Sequence, residues 1–191
     1  NLGAFDELAR KDRSVNPPTD FVTHRWVERN IRVYLDVNGQ FTGIIPTDPQ
    51  QIDLVENIIK NELPGVINNH FQNIQVDRGT GSRPNFGDVN TVIVYWDNQV
   101  PSGGGYSDNN NRIYSGSFNI QTTSDARVIR HESFHMVGFD GHTDLVSTIL
   151  KKTAPFPTTY QSFDSDAGKI LYKRPPGNRS PDANPDTYRI R

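Results

Sequence analysis

HESFHMVGFDGH, residues 131–142, places two histidines four positions apart and a glutamate directly after the first of them. On an α-helix, such positions lie about 40° apart around the axis and one turn apart along it. The imidazoles of His131 and His135 can therefore converge on one cation. Zinc prefers nitrogen ligands of this kind, and a catalytic zinc site leaves one position for water. Glu132 can reach that water as general base without binding the metal.

The residues around this segment favour a helix that ends near Gly138. Ser124 or Asp125 is the expected N-cap, and Val128 and Ile129 follow as part of an apolar face. A helix with a start signal, an apolar face and a terminating glycine supports a catalytic zinc centre. The competing interpretation is a structural pair of histidines on an ordinary helix.

A third protein ligand must come from outside this helix. No glutamate follows Glu132, which excludes the class of zinc enzyme that takes a downstream glutamate from a second helix. His142 is one candidate, because imidazole suits zinc. Carboxylate oxygens are the other candidates, and they belong chiefly to Asp140, Asp144, Asp164 and Asp166.

The segment resembles the signature of the metzincin clan of zinc metalloproteases, H-E-x-x-H-x-x-G-x-x-H. His131, Glu132, His135 and Gly138 match that signature position for position. In the clan the glycine ends the helix in a turn, often with positive φ, and the chain doubles back to deliver a third histidine. The resemblance implies a zinc-dependent endopeptidase in which Glu132 activates water for attack on a peptide bond.

The spacing of the third histidine departs from that signature by one residue. The expected position is Gly141, and the histidine follows it as His142. One explanation is a one-residue insertion that the flexible Gly141 absorbs, with His142 as the third metal ligand. The other explanation is an oxygen ligand from Asp140 or Asp144. We favour His142 and expect the metal set to be His131, His135 and His142.

Metzincins also have a tight turn beneath the zinc, built around a methionine and commonly followed closely by tyrosine. The only methionine here is Met136, inside the motif itself. The resemblance implies that residues 169–172 (KILY) form this turn with Leu171 in place of methionine, because these two side chains exchange at modest cost. Tyr172 would then lie near the metal as a hydroxyl donor to the transition state. The alternative for Tyr172 is a packing role in a final buried strand or turn.

Patterns elsewhere in the chain predict an α+β fold. Strands are predicted at residues 30–37, 73–77, 91–96 and 112–121, and 101–111 is predicted to be a loop. A helix should open at Pro49 and break near Pro64–Gly65, and a short helix is expected within 143–152. The resemblance implies a metzincin-like zincin fold, with a twisted mixed five-stranded sheet, a backing helix and an active-site helix. It also implies that 112–121 forms the upper rim of the cleft.

Length and composition restrict the partners of this chain. Its 191 residues suit one catalytic domain over 21–191, preceded by an extended arm over 1–20. A net charge of −2 with scattered basic residues gives no sign of nucleic-acid binding, and the apolar runs are too short to cross a membrane. We expect a monomer that acts on protein or peptide substrates. The start at Asn1 rather than Met fits a secreted protein that is processed from a longer precursor.

Two further interpretations concern calcium and function. The residues from 103 to 111 include Asp108 and several asparagines, whose oxygens could bind Ca²⁺, but they lack the spacing of a known calcium loop, which favours a flexible surface loop. The absence of cysteine excludes a disulfide framework and a thiolate ligand. The alternative to an enzyme is a zinc-binding, catalytically weak domain that serves in interaction or adhesion.

Overall fold

The structure, a computed structural model, describes residues 2–9 and 22–177. Its helices are α1 (Leu2–Ala9), α2 (Pro49–Asn57), α3 (Leu63–Val66), α4 (Ala126–Met136) and α5 (Ser162–Lys173). A π-helical turn, Ile58–Glu62, joins α2 to α3. The strands are β1 (Arg25–Trp26), β2 (Asn30–Leu35), β3 (Asn73–Asp77), β4 (Thr91–Trp96), β5 (Ser102–Ser107) and β6 (Arg112–Ile120).

The strands form one sheet in the order β1-β6-β4-β2-β3, and β5 pairs along β6. Four pairings are parallel, and the pairing of β5 with β6 is antiparallel. The prediction of a mixed sheet packed with helices is therefore confirmed. The predicted number of five strands is wrong, because the two-residue β1 adds a sixth.

Strand β4 lies at the centre of this sheet, between β2 and β6. Its sequence TVIVYW is buried at every position except Tyr95, as the nearly continuous apolar run predicts for a strand covered on both faces. The predicted bounds of β3 and β4 agree with the structure, and β2 and β6 end slightly earlier than predicted. The helices and the segments that follow α3 and α4 contribute further apolar side chains to the core.

The helix that opens at Pro49 continues past the predicted break. Asp48 caps it by accepting a hydrogen bond from the backbone N–H of Gln50 at 2.9 Å. A proline inside an α-helix removes one hydrogen bond and clashes with the preceding turn. The wider π-helical turn, closed by the Leu63 N–H on the Ile58 carbonyl, lies directly before Pro64. Because this turn relieves the clash, the helix continues to Val66 instead of ending at Pro64.

Three predicted elements are wrong in the structure. Residues 2–9 form helix α1 rather than an extended arm, and Phe5 and Leu8 are buried in the core. Residues 10–20 of the predicted arm lie outside the described residues. The predicted loop at 101–111 contains strand β5, which the glycine-rich sequence concealed. Residues 143–152 form no helix, because the Thr143 N–H donates to the Leu150 carbonyl and folds the segment back on itself.

Within the described part of the chain, every helix is too short or too polar to span a lipid bilayer.

Candidate metal centre

Helix α4 carries the two histidines that the sequence analysis singled out. Asp125 caps its N-terminus by accepting a hydrogen bond from the Val128 N–H at 3.0 Å. His131 and His135 then lie one turn apart, and their Nε2 atoms are 3.1 Å from each other. The predicted cap, the predicted helix and the predicted convergence of the two rings all agree with the structure.

Gly138 turns the chain at the end of α4. Its φ of 107° lies in the region that only glycine adopts readily. A Cβ at this position would also lie 2.2 Å from the carbonyl oxygen of His24. Gly138 therefore lets the helix end sharply while a neighbouring backbone passes at close range, as the motif predicts.

The turn after Gly138 brings His142 back to the two helical histidines. His142 Nε2 lies 2.9 Å from His131 Nε2. The backbone on both sides of His142 is held, since the Gly141 N–H donates to the Leu8 carbonyl and the Thr143 N–H to the Leu150 carbonyl. Among the described residues, His131, His135 and His142 form the one group of side chains with geometry suited to a metal ion.

Backbone carbonyls fix the tautomers of the two helical histidines. His131 Nδ1 lies 3.0 Å from the Ile149 carbonyl oxygen, and His135 Nδ1 lies 2.5 Å from that of Phe139. A carbonyl oxygen only accepts, so both Nδ1 atoms carry the proton and each neutral ring keeps its unshared pair on Nε2. Burial also lowers the pKa of His131, which favours the neutral form that binds metals.

These nitrogens fit a zinc ion. Two unshared pairs that face each other at 3.1 Å repel unless a cation lies between them. Tetrahedral zinc with Zn–N bonds of about 2.0–2.1 Å requires nitrogens roughly 3.3–3.4 Å apart, close to the separations found here. Ligand histidines usually donate their second N–H to a carbonyl or carboxylate, as His131 and His135 do. The group could therefore hold a metal ion.

Glu132 lies beside the histidines in a small cleft. Its side chain is 5% exposed, and burial raises its pKa to about 7. A nearby dication would favour the ionised carboxylate and lower this pKa. A cavity of about 290 Å³ opens here, and its walls are Pro101, Ser102, Gly103, Glu132, His135, Asp140 and His142. A carboxylate in such a cavity can exchange protons with a bound water near neutral pH.

The two aspartates that competed with His142 have different positions. Asp140 lines the cavity but is not a member of the histidine group. Asp144 Oδ1 accepts hydrogen bonds from the backbone N–H groups of Lys152 and Thr153 and from the Thr153 hydroxyl. Asp144 therefore stabilises the loop that follows His142. Of the candidates for the third ligand, His142 is the one that lies against the other two histidines.

Tyr172 does not occupy the predicted turn. Residues 169–172 belong to helix α5, so the interpretation of KILY as a methionine-type turn is wrong. The Tyr172 hydroxyl donates to the Val137 carbonyl at 2.9 Å, its side chain is buried, and burial raises its pKa. Tyr172 is also not among the residues that line the cavity beside Glu132. The structure thus supports the packing alternative, in which Tyr172 closes the C-terminal end of α4.

The predicted calcium segment, 103–111, comprises most of β5 and the turn that connects it to β6. Asp108 accepts hydrogen bonds from the backbone of Asn110 and Arg112, and its other oxygen binds the Arg112 guanidinium at 2.7 Å. These contacts explain the shape of the turn without a cation. The structure therefore gives the calcium interpretation no support.

Sequence reasoning missed two parts of this site. Ser102 and Gly103 line the cavity from β5, where a run of glycines gave no strand signal. The carbonyl of Ile149 orients His131, and a backbone atom leaves no trace in a sequence motif. The histidine spacing could be found from the sequence, whereas these supports come from residues far away along the chain.

Comparison with models of known protein families and with curated proteins gave no match to this sequence. The assignment of the site therefore depends on its own residues and their geometry.

Proposed function

We propose that the protein is a zinc-dependent endopeptidase. The observation that carries this proposal is the convergence of His131, His135 and His142 beside the buried carboxyl of Glu132. Three imidazoles and an adjacent carboxylate in a cleft are the parts that metal-assisted peptide hydrolysis requires. Zinc held there would supply a Lewis acid that acidifies water and polarises a peptide carbonyl.

Glu132 is the proton carrier in this proposal. Its carboxylate takes a proton from the attacking water and later gives it to the leaving amine. The low exposure of Glu132 keeps other water away from the carboxylate, and its pKa of about 7 without metal shows how strongly the cleft acts on it. The three histidines stay neutral because they serve as ligands.

Strand β5 is the proposed docking edge for an extended substrate. It lies outside β6 and packs against α4, where a Cβ on Gly103 would come within 2.5 Å of the Glu132 carbonyl oxygen. The predicted rim, 112–121, is wrong, because β6 pairs with β4 on one side and β5 on the other. A second cavity of about 300 Å³ runs along β5 beside Tyr95 and Ser117. A peptide could pair with the outer edge of β5 and reach Glu132.

A metzincin-like assignment is part of the same proposal. It is supported by the glycine turn at Gly138 and by the return of His142 to the metal group. In this proposal the chain is a divergent member, because it has an extra residue relative to the clan signature and a helical KILY segment. Secretion from a longer precursor stays a prediction from the sequence.

The test is a comparison of Glu132→Gln with the wild-type protein, both loaded with zinc. Removal of a general base typically costs 10² to 10⁴ in rate, so casein cleavage should fall by about that factor. The zinc content should stay the same, because Glu132 is not a ligand. The control is Glu28→Gln, since Glu28 lies on the exposed surface outside the cavity.

Two results would contradict the proposal. Cleavage by Glu132→Gln at the wild-type rate would remove Glu132 from the mechanism. A wild-type protein that binds no zinc at micromolar metal would remove the metal centre itself.

The position of Tyr172 favours one alternative function. Because its hydroxyl is bonded to Val137 inside the core, the cavity lacks the hydroxyl donor that the resemblance implied. A zinc-binding domain with weak catalysis, serving in interaction or adhesion, would fit this arrangement. Stoichiometric zinc without cleavage of a broad peptide library would support the alternative.

A further inference from the structure

Helix α1 contacts the turn that carries His142. The N–H of Gly141 donates to the carbonyl oxygen of Leu8 at 2.9 Å, and Leu8 lies in the last turn of α1. The last four carbonyls of an α-helix have no partner within the helix, and this bond satisfies one of them. The contact joins the N-terminal helix to the residue directly before His142.

Gly141 is required at this contact for steric reasons. A Cβ on Gly141 would lie 1.7 Å from the carbonyl oxygen of Glu7 and 2.7 Å from its carbonyl carbon. Both are backbone atoms, so a side-chain rotation cannot relieve the collision. The φ of Gly141 is not in the left-handed region, unlike that of Gly138. Gly141 occupies the position where the metzincin signature has its third histidine. Helix α1 packs at this glycine on the turn that leads to His142.

Helix α1 is itself anchored firmly enough to hold that turn. Phe5 is 1% exposed and Leu8 is 0% exposed, and both belong to the main apolar core. On the far side of His142, the Thr143 N–H donates to the Leu150 carbonyl at 3.1 Å. His142 thus lies between two fixed backbone points, and α1 supplies the first of them.

We propose that α1 is a positioning element of the metal centre. The Leu8 carbonyl holds Gly141 in place and so directs His142 toward His131 and His135. This proposal rests on the metal binding proposed above but not on peptidase activity. Displacement of α1 would weaken metal binding even though all three histidines remain.

The first experiment replaces Gly141 with alanine in the 191-residue chain and measures zinc affinity by competition with a chelator. Loss of a group that supports a ligand typically costs 10- to 100-fold in metal affinity, and we expect a loss in that range. The matched control is Gly65→Ala, because a Cβ on Gly65 would meet no atom within 4 Å. Gly65→Ala should bind zinc as the wild-type protein does.

A second pair of variants guards against a folding failure of Gly141→Ala. Leu8→Ala loosens α1, and Leu35→Ala makes the same truncation on β2; both leucines are 0% exposed. Each should lose folding stability, but only Leu8→Ala should also lose zinc affinity, by about tenfold. In the cobalt(II)-loaded protein, Leu8→Ala should shift the visible spectrum toward that of His142→Ala, and Leu35→Ala should not.

A double-mutant cycle separates positioning from a general loss of stability. In a His142→Ala background, Gly141→Ala should leave the remaining metal affinity unchanged, because the residue it directs is gone. The proposal is overturned if Leu8→Ala binds zinc as tightly as Leu35→Ala. A wild-type protein without zinc affinity would instead overturn the proposed function, so the two failures are distinguishable.

Discussion

The imidazoles of the metal group are fixed by contacts that single residues make. The carbonyls of Ile149 and Phe139 hold the rings of His131 and His135, whereas His142 is placed through its backbone neighbours. The spacing of His131 and His135 predicted two of these residues, and His142 was preferred to the aspartates because imidazole suits zinc. Their supports could not be predicted, because carbonyl oxygens are common to all residues and only the fold selects which of them reach a ring.

The first prediction compares His142→Ala with Asp140→Ala and Asp144→Ala. Loss of His142 removes a nitrogen ligand, so zinc affinity should fall by more than about 100-fold, beyond the usual effect of a supporting group. Asp144→Ala should keep its zinc affinity, because Asp144 bonds to the backbone of Lys152 and Thr153. Chelator competition measures all three. An aspartate variant with the largest loss would show that the third ligand is misassigned.

The second prediction concerns His70, whose pKa is lowered from 6.5 to about 4 by burial and by the nearby charge of Arg25. Its Nε2 donates to the Glu28 carbonyl, and its ring packs against Tyr172. The unfolded chain binds a proton on His70 more readily than the folded chain does. The folding stability that depends on a neutral His70 ring is therefore present above pH 6.5 and is lost as the pH falls toward 4.

Urea unfolding of the metal-free protein tests this. When the pH falls from about 7.5 to 5, the free energy of unfolding of the wild-type protein should drop by on the order of 1 kcal/mol more than that of His70→Gln. This value is smaller than the full pKa shift would give, because solvent screens a partly exposed ring. His131 titrates in both proteins and cancels in the comparison. Equal losses would show that His70 does not contribute.

At the scale of secondary-structure elements, apolar periodicity predicted several strands and helices, whereas the glycine-rich segment concealed a strand. Strands β3 and β4 and helix α4 could be predicted because their side chains repeat with the period of the structure they form. The glycines of β5 hid that strand, and the metzincin resemblance, which implied a turn at 169–172, hid α5. Gly168 lies inside α5, where a Cβ would come within 2.0 Å of the Val66 carbonyl oxygen. Glycine there reflects close packing against α3, which a single sequence cannot show.

The third prediction therefore sets Gly168→Ala against Gly65→Ala. Alanine favours a helix over glycine, yet at Gly168 the added methyl meets backbone and should destabilise the protein by about 1–3 kcal/mol. At Gly65 nothing lies within 4 Å, so the same change should be neutral or stabilise by up to about 1 kcal/mol. Chemical denaturation gives both values. A stabilised Gly168→Ala would contradict the packing.

The fourth prediction concerns the start of α5, where the buried carboxylate of Asp164 accepts from the Thr148 hydroxyl and from the backbone N–H groups of Ile149 and Gln161. The Ile149 carbonyl in turn orients His131. Asp164→Ala leaves these donors unpaired, so stability should fall by about 2–3 kcal/mol and zinc affinity by about tenfold or more.

Asp48→Ala is the control for Asp164→Ala, because Asp48 also caps a helix but lies at the start of α2. It should lose about 1 kcal/mol of stability and no zinc affinity. Equal zinc affinity in the two variants would show that Asp164 has no part in placing His131.

For the whole molecule, metal binding and folding should be coupled, since the three ligands come together only in the folded chain. A ligand present at a thousand times its dissociation constant stabilises the folded state by about 4 kcal/mol. The fifth prediction is that zinc raises the melting temperature and that a chelator reverses the rise. His142→Ala should show a much smaller change. A melting temperature that is independent of zinc would contradict the prediction that the three histidines bind the metal.

The bond between Leu8 and Gly141 also bears on the order of events during synthesis. Helix α1 leaves the ribosome before the other described elements, but the Leu8 carbonyl must wait for Gly141, and the ring of His131 must wait for Ile149 and for the start of α5. Contacts between residues so distant in the chain form late in folding. We therefore expect the nascent chain to bind metal tightly only after the start of α5 has been made, so the proposed peptidase would be inactive before that point of its synthesis.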